Sequence, residues 1–244
     1  MIDSKIDEKS ETKTFYSETE LMTMSRGSQL IQPTFLPLAC RPQQGVGRIS
    51  RLGDSCEAIS GKVDLYITMR DRADSTNVDR PQRVRVLVIS QKDSVEDPVA
   101  AGTNPSAIEL EELFWAGANN VGLEANMLDM FRNVNRQKWT VHEDFQFTLG
   151  YQATYDPLNT TEVRPELNQI YGSTFESTKR LTIKAPKSCL GKLEYPPGFG
   201  ANTPNKKAWI VIQHVPVDGS TALPGTVGSA LSMSQSTMFR FKDM

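Results

Sequence analysis

Histidine is nearly absent from this chain: 244 residues contain two, His142 and His214. Imidazole is the usual general base near neutral pH and the commonest metal ligand. Neither histidine lies in an HxH or HExxH pattern, so a zinc site has no support. Both fall in segments with strand-like patterning, on polar or mixed faces, where a structural or solvent-facing role is expected. Cysteine is scarce too, with Cys40, Cys56 and Cys189 the only three. The number is odd and no pair has ligand spacing, so reduced and mostly buried thiols are expected. Neither sign of charge is in excess: 27 basic and 29 acidic side chains leave a formal net charge of -2. That balance argues against a general nucleic-acid binder acting through net charge. Long apolar runs are missing, which excludes a transmembrane helix. The opening Met1-Ile2-Asp3-Ser4-Lys5 has no apolar signal core, so synthesis in a reducing compartment without a membrane is expected. Asn159-Thr160-Thr161 is a glycosylation sequon that carries little weight without a secretion signal.

Catalytic motifs are equally thin. Gly53-Asp54-Ser55-Cys56-Glu57 approaches a nucleophile elbow, but Glu57 replaces the required second glycine. Gly45-Val46-Gly47 lacks both a following helix and a phosphate-binding lysine. No pair of carboxylates is singled out for glycosidase chemistry. The expectation is a protein that is not an enzyme, with no cofactor and no metal.

What is present is β-structure. Hydrophobic residues at 38% and charged residues at 23% place the chain among ordinary globular proteins. Its length exceeds one average domain but suits a single all-β unit, and a core of that size needs no disulfides. Residues 1–11 are charged and read as a flexible N-terminal arm. A β-type run follows from Lys13 to Met24. Residues 33–47, with Pro33, Pro37, Pro42, Gly45 and Gly47, read as a loop. Val63, Leu65, Ile67 and Met69 alternate with polar residues, which puts them on one face of a strand. Val84, Val86 and Val88 alternate in the same way, with Arg83 and Arg85 pointing away. Leu87 and Ile89 make the other face apolar near the end, which predicts cover on both sides.

Ile108 to Trp115 has apolar residues at helical spacing with acids near its start, Ser106 as a candidate cap and Glu109 three residues on. A short helix is expected there, inside a long excursion over 93–136. Strand patterns resume at 139–149, 179–184, 190–195, 208–215 and 236–242. About eight strands without crossover helices predict an all-β fold: an eight-stranded antiparallel jelly-roll sandwich with one short helix and long loops. Residues 12–244 form its single domain.

Basic residues gather in three places. Arg48 and Arg51 precede the first clear strand. Arg83 and Arg85, with Arg70, Arg72 and Arg80, surround the next hairpin. Lys179, Arg180, Lys184 and Lys187 lie on and after a later strand. Arg48, Arg51, Arg83, Arg85, Lys179, Arg180 and Lys184 are the candidate nucleic-acid contacts. Solvated faces and edge protection are the plain alternative. Arg85 has a further one, pairing across a sheet face with an acid such as Asp64.

One string of segments resembles a known family. Gln44-Gly45, Arg51-Leu52-Gly53-Asp54, Ile59-Ser60-Gly61-Lys62-Val63 and Val84 to Asp93 follow in the order found in capsid proteins of small circular Rep-encoding single-stranded DNA viruses, the circovirus-like group. Glu11-Thr12-Lys13 resembles the start of their first strand and Phe239 to Asp243 their last. The resemblance spans most of the chain in pattern and order. It implies a single jelly-roll capsid domain that self-assembles into an icosahedral shell, about 60 copies in the simplest case. Around a single-stranded DNA genome that shell would be the virion, assembled inside the host cell. Those proteins usually begin with an Arg/Lys-rich arm, whereas here Asp3, Lys5, Asp7, Glu8, Lys9 and Glu11 make the arm acidic. Genome phosphates would then be neutralised by local basic faces, by other cations, or by a basic segment outside this chain. A lectin-like carbohydrate-binding module and a capsid protein of a small RNA virus share the same fold. The long loops 93–136 and 150–174 would build subunit contacts, with Phe114, Trp115 and Tyr151 as candidate anchors or core residues.

Overall fold

The computed structural model describes residues 11–24, 34–69, 81–92, 113–116, 119–121, 124, 126–150, 176–195, 204–206, 208–217, 219 and 230–243. Twelve strands run through them: β1 (Thr12–Thr23), β2 (Thr34–Leu38), β3 (Ser55–Met69), β4 (Gln82–Gln91), β5 (Phe114–Ala116), β6 (Asn119–Val121), β7 (Asn133–Val134), β8 (Trp139–Leu149), β9 (Thr178–Lys184), β10 (Gly191–Glu194), β11 (Ala208–Pro216) and β12 (Leu231–Asp243). The only helices among the described residues are 3-10 turns at Met127–Met130 and Lys187–Cys189.

Two antiparallel sheets carry the architecture. The first runs β1-β12-β3, with β9 and β10 pairing in turn along the free side of the long β3; the second runs β2-β11-β4-β8. With β10 and the short strands of the excursion set aside, eight strands remain. Their order places the first beside the last and interleaves the two halves of the chain, which is the jelly-roll arrangement. The all-β antiparallel sandwich expected from the sequence is therefore present.

Alternation explains the core. Val63, Leu65 and Ile67 of β3 face Val84, Val86 and Val88 of β4 and Ile210 and Ile212 of β11, with Leu231, Met233, Phe239 and Phe241 from β12. All are buried, and each such side chain contributes about 1.5–3 kcal/mol. In β3 the pairing skips Ile59, since Arg240 lies opposite Ser60 and Phe241 opposite Ala58. That bulge switches the inward set from Cys56 and Ala58 to the odd-numbered residues beyond it.

The second sheet is apolar on both faces, as the run in β4 predicted. Leu87, Ile89, Trp209, Val211 and Phe35 form a second core with Leu113, Phe114, Val134 and Trp139. Trp139 and Trp209 meet edge to face at its centre, centroids 6.2 Å apart. The excursion supplies the cover: β5 pairs with β6 and β7 and lies over this face. Phe114 and Trp115, expected to end a helix, are instead in β5, because cross-strand pairing and burial of Phe114 outweigh a short helical spacing. The rest of that expected helix, 106–112, lies outside the described residues. So do Tyr151, residues 93–112, residues 1–10 of the arm, and Arg70, Arg72 and Arg80.

A second correction concerns residues 34–38, expected as loop. They form β2, which among the described residues pairs with β11 alone, so Pro37 sits on an edge where its missing N–H is tolerated. The strand count of eight thus included β10 and omitted β2. The three cysteines are free and buried. Burial pushes the Cys189 thiol up to about 11. Tyr195 donates to the Cys40 carbonyl at 3.0 Å and lies 3.3 Å from Cys56 Sγ.

Both histidines are structural in placement. His214 is fully buried with Nδ1 3.3 Å from Gln82 Oε1. His142 is the extra residue of a β8 bulge, since Glu143 pairs with Val88 and Val141 with Ile89. Its Nε2 lies 2.8 Å from Ser90 Oγ, and burial holds its pKa below 6.5. The unfolded chain therefore takes up this proton more readily than the folded one. The stability tied to neutral His142 should be present above pH 6.5 and decline as pH falls through its lower folded-state pKa. His142→Gln should flatten that part of a urea-midpoint profile. An unchanged acid slope would show that the proton goes elsewhere.

Candidate nucleic-acid interface

The seven candidate cations separate by sheet. Arg85 leaves the main core, as its alternation indicates, but does not reach solvent, because the excursion covers that face. Its side chain is 4% exposed. Nε and Nη2 donate to Asp144 Oδ1 and Oδ2 at 2.9 and 2.6 Å, and Nη1 donates to the carbonyls of Asp129 and Arg132 at 2.6 and 2.8 Å. The acid it pairs with is Asp144 on the neighbouring strand, not Asp64, which belongs to the other sheet. Arg83 donates to Gln146 at 2.9 Å and lies over the Phe131 ring. Arg51 is buried, donates to the Gly53 carbonyl and stacks 4.1 Å above Tyr195. Arg51 and Arg85 are therefore withdrawn from the set available to an external polyanion. Lys179 is paired with Glu176 at 3.0 Å, and Arg48 is exposed on the loop before β3.

Arg48, Arg180 and Lys184 remain exposed; the last two lie on β9, where the strand register gives them neighbours that the sequence alone does not name. Ile183 points into the core, so Arg180, Thr182 and Lys184 point out. Opposite them on β3 stand Tyr66, Asp64 and Lys62. Beyond β3, β12 sets Ser234, Ser236 and Met238 against those same residues, and then Arg240 against Ser60. On β1, Tyr16 pairs with Met238 and Thr14 with Arg240. At the end of the sheet Lys242 and Lys192 flank Glu57.

The result is an exposed sheet face of cations, hydroxyls and two tyrosines, interspersed with the carboxylates of Asp64, Glu57 and Glu18, the last accepting from the Tyr16 hydroxyl. Tyr16 is 50% and Tyr66 48% exposed. Lys62 and Lys184 are directly opposed, an arrangement that disfavours the sheet by itself. Asp64 offsets part of it, 2.6 Å from Lys62 Nζ and accepting from Thr182 at 2.5 Å. The Lys62 hydrogen bond, then that from Thr182, holds its carboxyl below the usual range. Among the described residues, no carboxylate pairs with Arg180, Lys184 or Arg240. The Lys192–Glu194 pair at 3.2 Å is well exposed and contributes little.

No family model and no curated protein matches this chain. Solved structures similar to it include those of desmodium yellow mottle tymovirus (9% identity, TM-score 0.37) and the empty head of turnip yellow mosaic virus (11%, 0.38), each covering 96% of this chain and 82% of the other. Turnip yellow mosaic virus itself is similar at 12% identity and a TM-score of 0.34, covering 96% of this chain and 94% of the other.

Proposed function

We propose that this chain is a viral coat protein, whose copies self-assemble into an icosahedral shell enclosing a single-stranded DNA genome. The observation that carries this reading is the jelly-roll strand order, in which the strand-forming segments of the sequence resemblance lie on β1, β3, β4 and β12. The first and last of those segments lie more than two hundred residues apart, yet they pair side by side. Thr12 is opposite Lys242 and Lys13 opposite Phe241, with Lys13 and Asp243 in an ion pair. Residues 12–244 form the shell domain and residues 1–11 its arm. The work of such a subunit is interface chemistry, and no catalytic step is assigned to it. The DNA in this reading comes from the family resemblance, and about 60 copies is the simplest closed icosahedron. Its place is the virion, after assembly in the host cell.

The full chain, expressed and purified, should elute as a large assembly and show closed particles by negative-stain electron microscopy. Those particles should hold nuclease-protected single-stranded nucleic acid, and sugar-specific digestion of the extract identifies it as DNA. A protein that stays monomeric across a range of salt and pH would overturn the shell reading. A monomer retained by a glycan column would favour the lectin-like alternative on the same fold.

A further inference from the structure

We propose that the open face of the first sheet is a binding surface for single-stranded nucleic acid. Lys62, Arg180, Lys184 and Arg240 would meet phosphates, with Tyr66 as a platform for a base. The proposal deepens the shell reading, on which its biological partner rests, but the surface itself stands on three observations.

The first is the partition of charge between the two sheets. Cations on the outer face of the second sheet are spent internally: Arg85 on Asp144, Arg132 on Asp129 and Glu124, Arg83 on Gln146. On the first sheet Lys62 is paired with Asp64 and Lys192 with Glu194, but Arg180, Lys184 and Arg240 have no carboxylate partner among the described residues and keep their charge toward solvent, although the chain as a whole carries -2. Local charge of this kind is what a polyanion meets at close range, because salt screens more distant charges within about 10 Å.

The second is the cost that the face retains. Lys62 stands directly opposite Lys184, two residues from Asp64 and four from the Tyr66–Arg180 pair. Like charges facing across a sheet repel, and an intervening phosphate removes the repulsion while releasing counterions.

The third is the aromatic. Tyr66 is half exposed and points out between Ser234 and Arg180, and among the described residues no apolar side chain stands opposite it. Stacking platforms beside basic side chains are the recurrent means of holding single strands without sequence preference. Hydroxyls at Thr14, Ser60, Ser234 and Ser236 add donors for sugar and phosphate oxygens.

The test uses the full-length protein and fluorescence anisotropy with labelled oligo-dT, oligo-U and a DNA duplex of equal length, across a salt series. Arg180→Gln with Lys184→Gln should weaken single-strand binding about tenfold and reduce the log–log salt slope by about 1.4, which is two phosphate contacts. Tyr66→Ala should weaken it about tenfold with the slope unchanged, and Tyr66→Phe should restore it. Lys92→Gln with Arg136→Gln, exposed cations outside this face, serves as the control pair. Wild-type affinity in the Arg180/Lys184 variant, or an equal loss in the control pair, would overturn the proposal. Equal affinity of wild type and Tyr66→Ala would remove the stacking element. Comparing dT with U distinguishes a DNA from an RNA source for the same chemistry. Particle formation is scored separately. Shells whose assembly and nucleic-acid content ignore these substitutions sink the surface and spare the shell. Oligonucleotide binding by a protein that never assembles does the reverse.

Discussion

Gly61→Val should destabilise the fold by about 3 kcal/mol, at the upper end of what overpacking costs. Gly61 lies in the middle of β3 opposite Phe239 of β12. A Cβ added there would stand 2.6 Å from Phe239 Cζ and closer still to Cδ1 and Cε1. Phe239 cannot step aside, because it is fully buried in the core between the sheets. The backbone cannot shift cheaply either. The Gly61 carbonyl accepts from Ala185 N at 2.9 Å, and the Ile59 bulge fixes the register two residues before it. Glycine in a strand interior is unfavourable in itself, so a reason for it has to be found in packing, and the Phe239 ring is that reason. Urea denaturation should show a lower midpoint with an unchanged slope. Phe239→Leu makes room on the other side of the contact. Combined with Gly61→Ala it should therefore cost about 1–2 kcal/mol less than the two single changes together. Strict additivity would mean that the ring does not govern this position.

The strands that the sequence revealed are those with one wet face. β3, β8, β9 and β12 alternate because one side meets the core and the other solvent, and β4 and β11 show as apolar runs because both sides are covered. β2 escaped because five residues give few periods to read and Pro37 argued for a loop. Only its edge position, which is a tertiary fact, permits the proline. Phe114 falls in a segment whose spacing, acidic start and Ser106 cap all point to a helix, and these are local signals. Its partners, Trp139 and Trp209, lie far along the chain, and no local rule records them.

The candidate interface was half legible for the same reason. Arg180 and Lys184 were found because they alternate with Leu181 and Ile183. Arg240 and Lys242 alternate with Phe239 and Phe241 just as plainly, and that signal could have named them. Lys62 and Tyr66 needed the register between β3 and β9 to join the group. Arg51 could not have been excluded in advance, because its stacking on Tyr195 joins residues with no local relation. Arg85 could have been. Leu87 and Ile89 share its side of β4, and a side that is covered for them is covered for it.

Arg85→Met should be the most damaging single loss on the second sheet, about 3–4 kcal/mol. Arg85 donates four hydrogen bonds from an almost fully buried guanidinium and lies 5.4 Å from the Phe114 ring centroid. Two of its acceptors are the carbonyls of Asp129 and Arg132, which hold the Met127–Met130 turn against β4. Met fills the aliphatic volume and leaves those oxygens without the donor that satisfied them, at about 1–3 kcal/mol each when buried. Asp144 is 36% exposed and can rehydrate, so Asp144→Asn should cost far less than loss of the arginine. Arg85→Lys should recover less than half, since one ammonium cannot reproduce a fork that serves a carboxylate and two carbonyls at once. The damage should begin locally. Asp129 is fully buried and takes hydrogen bonds from Gln213, Arg132 and the Glu124 amide, so the turn should loosen as a unit. Amide exchange at residues 126–134 should accelerate before the rest of the sandwich responds. A cost no larger than an ordinary surface change, about 0.5 kcal/mol, would show that the network is incidental. At a temperature where the variant is still folded, its affinity for oligo-dT should equal that of the wild type. An arginine spent on holding the excursion against its sheet has no charge left to offer a phosphate, and that is the physical difference between Arg85 and Arg180.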